Sequence, residues 1–132
     1  MTEIIRAKHA GFCFGVRSAI DKTEETLNSE EYKGKKVYTF GPLIHNKGVT
    51  DELEEKGARI LKDLSGTEPG DVVIIRSHGE GEAFYREAED RKLEVIDATC
   101  PFVLKIHRLV RQARDEGYSV VVVGDRDHPE VQ

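Results

Sequence analysis

Cysteine, histidine and glutamate are the side chains here that could ligate a metal, attack as a nucleophile or move a proton near neutral pH. Two cysteines and five histidines occur in 132 residues. Cys13 lies in "GFCFGV", bracketed by Gly11 and Gly15, and Cys100 lies in "DATCPF", directly before Pro101. His45 follows the apolar start of "KKVYTFGPLIHN", His78 closes "VVIIRSH", and His128 shares "GDRDHPE" with Glu130. Each stands where an apolar stretch gives way to turn residues, the usual place for chemistry held on a rigid scaffold.

Taken alone, a free cysteine is a small core hydrophobe as readily as a reactive group. Position argues for chemistry. Pro101 suits the first position of a helix, and Cys13 also shortly precedes a helical pattern. Unpaired N–H groups and the helix dipole at such entries favour thiolate over thiol. A phosphatase-type loop would need arginine six positions after the cysteine, but Ala19 and Ile106 stand there. Zinc would ask for four close ligands, often with a Cys-x-x-Cys pair, and the sequence has none. Iron–sulfur ligation remains, because thiolates from separate loops can meet at one cluster. Two cysteines fall short of a ligand set, so either a cluster is shared between chains or a further ligand lies beyond Gln132. For the loop histidines, solvated side chains and ligand-binding donors are both open readings. Gly11 and Gly15 serve a tight turn or the close approach of backbone to a bulky group.

The elements that must hold these residues follow from hydrophobic spacing. A hydrophobic content of 38% fits one core in a chain of one domain's length. No apolar run approaches the roughly 20 residues that cross a bilayer, and "MTEIIRAKHAGF" lacks the apolar segment of a signal peptide, so a cytoplasmic protein is expected. In that compartment a structural disulfide is not expected. The net charge of −5, with acids and bases interspersed, argues against nucleic-acid binding. Ile4 and Ile5 read as a first strand, and Val16, Ala19, Ile20, Thr23 and Leu27 recur at helical steps. "KKVYTF" is a strand, Val49, Leu53 and Gly57 follow a shorter helical pattern with "DE" as its favourable start, and "ARIL" is a short strand. "VVIIR" reads as a buried strand, "LEVID" as another, and Val103, Ile106, Val110 and Ala113 as a helix ending near Gly117. "YSVVVVG" is the most hydrophobic strand candidate. Strands alternating with helices predict an α/β fold with a mostly parallel sheet and flanking helices, whose ligands gather beyond the carboxyl ends of the strands. Cys13, His45, His78, Cys100 and His128 would then share one rim. His9 and His107 fall outside that pattern as surface or supporting residues.

The segments "GFCFGVRSAI", "HNKGVTDELEEKGA", "RSHGEGEAFYREAEDRKLEVIDATCPFVLKIH" and "VVVGDRDHPEV" together resemble the N-terminal portion of the 4-hydroxy-3-methylbut-2-enyl diphosphate reductase family. The resemblance runs nearly the whole chain, with motifs in family order. It implies one part of a three-module iron–sulfur oxidoreductase that removes a hydroxyl reductively in the last step of the non-mevalonate isoprenoid pathway, giving isopentenyl and dimethylallyl diphosphates. It implies a 4Fe–4S cluster held by Cys13, Cys100 and a third cysteine outside this chain, with one iron left open. His45, His78 and His128 would bind the allylic diphosphate, and Glu130 would be the catalytic proton donor. Asn46, Ser77, Gly79, Thr99 and Pro101 would shape turns. An electron donor such as ferredoxin or flavodoxin is the implied partner, with no nucleic acid and no membrane. Residues 1–97 would be the first module and 98–132 the start of the second, with the strand near 3–7 pairing with a missing last module. On that reading the fragment alone is inactive. The alternative is a non-catalytic α/β module that binds a phosphate-bearing ligand or a protein.

Overall fold

The computed structural model describes every residue except Met1, Pro129 and Gln132. In chain order the elements are α1 (Phe14–Asn28), a 3-10 turn (Glu30–Tyr32), β1 (Val37–Phe40), α2 (Lys47–Glu55), β2 (Ala58–Leu61), β3 (Val72–Ile75), α3 (Glu82–Asp90), β4 (Glu94–Asp97) and α4 (Pro101–Asp115). The four strands are all parallel, in the order β2-β1-β3-β4. The α/β expectation is met.

The run "VVII" explains the centre of the sheet. Four successive apolar residues can all be buried only if both faces of their strand are covered, and Val72 to Ile75 are each 0% exposed. The two-residue period then splits them. Val72 and Ile74 pack with Ala19, Val37 and Leu53 on the face carrying α1 and α2. Val73 and Ile75 pack with Tyr38, Leu64, Phe84 and Ala88 on the face carrying α3. Thr23 is buried in α1 without an orphaned hydroxyl, because Oγ1 donates to the Ala19 carbonyl at 2.8 Å.

Local chemistry sets the helix starts. α2 begins earlier than "DE", because Asn46 Oδ1 accepts the Val49 N–H at 3.2 Å and caps the helix four residues upstream of Thr50. Gly57, at φ +111°, ends that helix in a conformation that other residues rarely adopt.

Two expected strands do not form. Residues 2–7 carry no strand, with Ile4 and Ile5 exposed, and the segment from Tyr118 to Val123 is likewise irregular and exposed. The reason is common to both: an extended segment needs a neighbour to accept its backbone hydrogen bonds, and neither segment has one among the described residues. α4 forms as expected but buries only Val103 on this chain, leaving Phe102, Ile106 and Leu109 exposed. No helix among the described residues is long and apolar enough to cross a membrane.

Candidate functional site

Because β1 and β3 are adjacent and parallel, the turns that follow them meet at one edge of the sheet. His45 and His78 therefore approach, with ring centroids 5.2 Å apart. Arg76 staples these turns: its Nε donates to Glu80 Oε1 at 2.9 Å, and its guanidinium lies 3.2 Å from where a Cβ on Gly41 would stand. Gly41 takes φ +71° there. The tail adds His128, whose ring meets that of His78 edge-on at 5.9 Å. Glu130 places Oε1 4.0 Å from His78 Nε2, and its N–H donates to His128 Nδ1 at 3.2 Å.

His78 is the most enclosed member, with 13% of its side chain exposed. Burial holds its pKa below the ordinary histidine value; Glu130 opposes that shift, while His45, Arg76 and His128 add to it. Its buried Nδ1 finds no hydrogen-bond partner among the described residues. A buried ring nitrogen left unpaired costs stability, which a polar ligand would recover. Between α1 and these turns lies a cleft of about 260 Å³, lined by Phe12, Val16, Ile44, His45, Asn46, Ser77 and His78.

Both cysteines sit at helix entries. Cys13 is the N-cap residue of α1 and Cys100 that of α4, with Pro101 in the first turn behind it. Neither thiol is used as a cap, and both are free, Cys13 exposed and Cys100 half-buried. Each sulfur thus lies at a helix entry whose N–H groups its side chain does not cap. The Cys100 N–H donates to the Ser77 carbonyl at 2.9 Å, which ties this turn to that of His78.

α1 reaches the same place through Gly15. A Cβ at Gly15 would stand 2.5 Å from Cys100 Sγ and 2.9 Å from Cys100 Cβ. The absence of a side chain at Gly15 thus lets the entry of α1 abut the second cysteine. Gly15→Ala has two opposed effects. Alanine gains up to about 1 kcal/mol in helix propensity, whereas overpacking costs about 1–3 kcal/mol. The contact should win, so Gly15→Ala is expected to lower the melting temperature and to change the alkylation rate of Cys100. Wild-type values for both would show that the two helix entries are not in contact.

Of the other histidines, His9 is exposed, and His107 supports the site: its Cε1 lies 3.2 Å from the Cβ position of Gly79, in the His78 turn. Gly79 adopts φ +81°. Among the described residues, no three His, Cys, Asp or Glu side chains converge as a metal-holding group. The two thiols fit part of a cluster's ligand set, since each sulfur is uncommitted.

A family model described as LytB protein matches residues 4–132. The chain belongs to the LytB protein family. Its LytB relatives include the 4-hydroxy-3-methylbut-2-enyl diphosphate reductase of Alkaliphilus oremlandii, 48% identical over 130 residues, which are 98% of this chain and 45% of the relative. The reductase of the same name from Geotalea uraniireducens is 50% identical over 130 residues, covering 98% of this chain and 44% of that protein. A solved structure of (E)-4-hydroxy-3-methyl-but-2-enyl diphosphate reductase, described as the terminal enzyme of the non-mevalonate pathway, superposes with a TM-score of 0.84 at 45% identity. That match covers 99% of this chain and 45% of the other. The Plasmodium falciparum reductase superposes with a TM-score of 0.85 at 36% identity, over 92% of this chain and 37% of that one. This LytB chain thus spans less than half the length of those relatives.

Sequence reasoning missed Tyr85 and Asp97, whose side chains meet beside the Cys100 turn. The "DATC" run held a signal, since an aspartate two residues before threonine commonly closes an Asx turn.

Proposed function

We propose that this chain is the part of a 4-hydroxy-3-methylbut-2-enyl diphosphate reductase that carries two cluster thiolates and most of the substrate-binding imidazoles. The observation that supports it best is the meeting of the Cys100 and His78 turns through the Ser77 carbonyl, with α1 and its Cys13 entry packed on Cys100 through Gly15. Cys13 and Cys100 would hold a 4Fe–4S cluster together with a third cysteine outside this chain. When bound, such a cluster supplies electrons singly and an open iron as Lewis acid.

The overall change consumes two electrons and two protons: the allylic C–O bond breaks, the oxygen leaves as water, and one proton joins carbon. His45, His78 and His128 provide ring N–H donors for the diphosphate oxygens. The orphaned Nδ1 of His78 fits that role, because when it bears the proton it can donate to an anion's oxygen. Glu130, 4.0 Å from His78, would deliver the proton that makes hydroxide into water. Phe12, Val16 and Ile44 give the cleft an apolar wall suited to an allylic chain. Residues 1–97 are proposed as the first module and 98–132 as the start of a second, in a three-module cytoplasmic enzyme served by a ferredoxin or flavodoxin.

The reading is tested on the diphosphate. A charge-assisted hydrogen bond is worth about 1.5–3 kcal/mol, so His45→Ala or His78→Ala in the full-length protein should weaken substrate binding by about one to two powers of ten. Iron content should stay at the wild-type level. Titration calorimetry that finds unchanged diphosphate affinity in both variants would remove these histidines from the pocket.

A further inference from the structure

The turn that presents Cys100 is built around one carboxylate, Asp97, at the end of β4. Both of its oxygens are engaged. Oδ1 accepts the Thr99 N–H at 2.8 Å and also the Thr99 hydroxyl. Oδ2 accepts the Tyr85 O–H from α3 at 3.1 Å. The Asp97 carbonyl accepts Lys22 Nζ from α1 at 2.7 Å. Thr99 is itself 5% exposed, and its methyl lies 3.1 Å from the Cβ position of Gly79, next to His78. Asp97 thus has links to both faces of the sheet and to the turn beside it.

We propose that Asp97 is a positioning residue of this site, which through Thr99 and Tyr85 fixes the Cys100 turn against the turn that carries His78. As far as the cluster is concerned, the proposal rests on Cys100 being one of its ligands. A carboxylate closing an Asx turn fixes the backbone of the following residues, and here that backbone leads within one residue to the cysteine. Tyr85 is a dependable donor to it, because burial and the neighbouring Asp97 push its pKa up to about 12 and keep the phenol protonated. A ligand on a loosely held loop would sample many sulfur positions; this one is restrained at Ala98, Thr99 and Cys100, whose N–H groups donate to Ile75, Asp97 and Ser77 in turn.

The first experiment needs no iron. In the cluster-free full-length protein, alkylation by iodoacetamide is followed at each cysteine by peptide mass spectrometry, with Cys13 as internal reference. Loss of hydrogen bonds to a charged acceptor should raise local opening, so Asp97→Ala is expected to speed alkylation of Cys100 relative to Cys13 by about tenfold. Asp97→Asn keeps an oxygen for the Thr99 N–H and should restore most of the slow rate. Tyr85→Phe, at a partly exposed position, removes the Oδ2 link alone and should give a smaller increase. Should Asp97→Ala not fold, Tyr85→Phe decides the matter, and wild-type relative alkylation in that variant overturns the proposal. The second experiment is reconstitution with iron and sulfide, where Asp97→Asn should shift the electron paramagnetic resonance signal of the reduced cluster. Wild-type protein that takes up no iron would refute the cluster reading while leaving the alkylation result to judge the turn. Iron bound with an unshifted signal in Asp97→Asn, together with wild-type relative alkylation in Asp97→Ala and Tyr85→Phe, would refute the role of Asp97 alone.

Discussion

Full-length protein carrying Cys13→Ser or Cys100→Ser is expected to lose its iron and brown colour while its parallel sheet stays folded. The separation of these effects follows from where the cysteines sit. Neither belongs to the two apolar clusters that cover the faces of β1 and β3. Both are N-cap residues whose side chains make no cap hydrogen bond, and serine is among the best residues at that position. Serine should therefore leave stability unchanged or raise it by up to about 1 kcal/mol, even as it removes the soft thiolate that iron–sulfur ligation needs. Iron and sulfide assays with visible absorption read the cluster, and thermal melting reads the fold. A variant with full iron and a wild-type reduction rate would exclude that cysteine from the ligand set.

Glu130→Gln should retain cluster and substrate yet turn over about 10²–10⁴ times more slowly, the usual contribution of a positioned general acid. Its backbone N–H would still donate to His128 Nδ1, so the turn should persist, and glutamine keeps the size of the side chain. What it lacks is the proton. Without protonation the allylic oxygen must leave as hydroxide, a much poorer leaving group. If Glu130 were only a loop residue, the same variant would show a small stability loss and a normal rate. Rapid-mixing measurement of C–O cleavage on bound substrate separates the two outcomes, and a wild-type rate would end the proton-delivery assignment whatever happened to stability.

Much of the fold could be read along the chain. "VVII" reads as a strand covered on both faces, because four β-branched residues in a run bounded by turn residues are too short for a buried helix. Cys100 before Pro101 marks a helix entry through the properties of a single residue, a fixed φ with no N–H to lose, whereas the cap at Asn46 that starts α2 ahead of "DE" was not read. The turns bearing His45, His78 and Cys100 fall at strand ends for the same local reasons. Their sharing of one rim follows from parallel pairing alone.

The apolar content of "IIRA" and "YSVVVVG" signals strands that do not form among the described residues, since β-propensity cannot supply the neighbouring strand that a ladder requires. Strand order was equally hidden, because β1 pairs with both β2 and β3 and nothing in its four residues says so. The same limit governs the site. Residue types and their turns were determined by sequence, through conformational preferences and hydrophobic spacing that act over a few residues. The contact of Gly15 with Cys100, the 5.2 Å between the His45 and His78 rings and the bond from Tyr85 to Asp97 were decided by tertiary structure. These distances depend on which separated segments burial of the two sheet faces forces together, and that is a property of the packed chain as a whole.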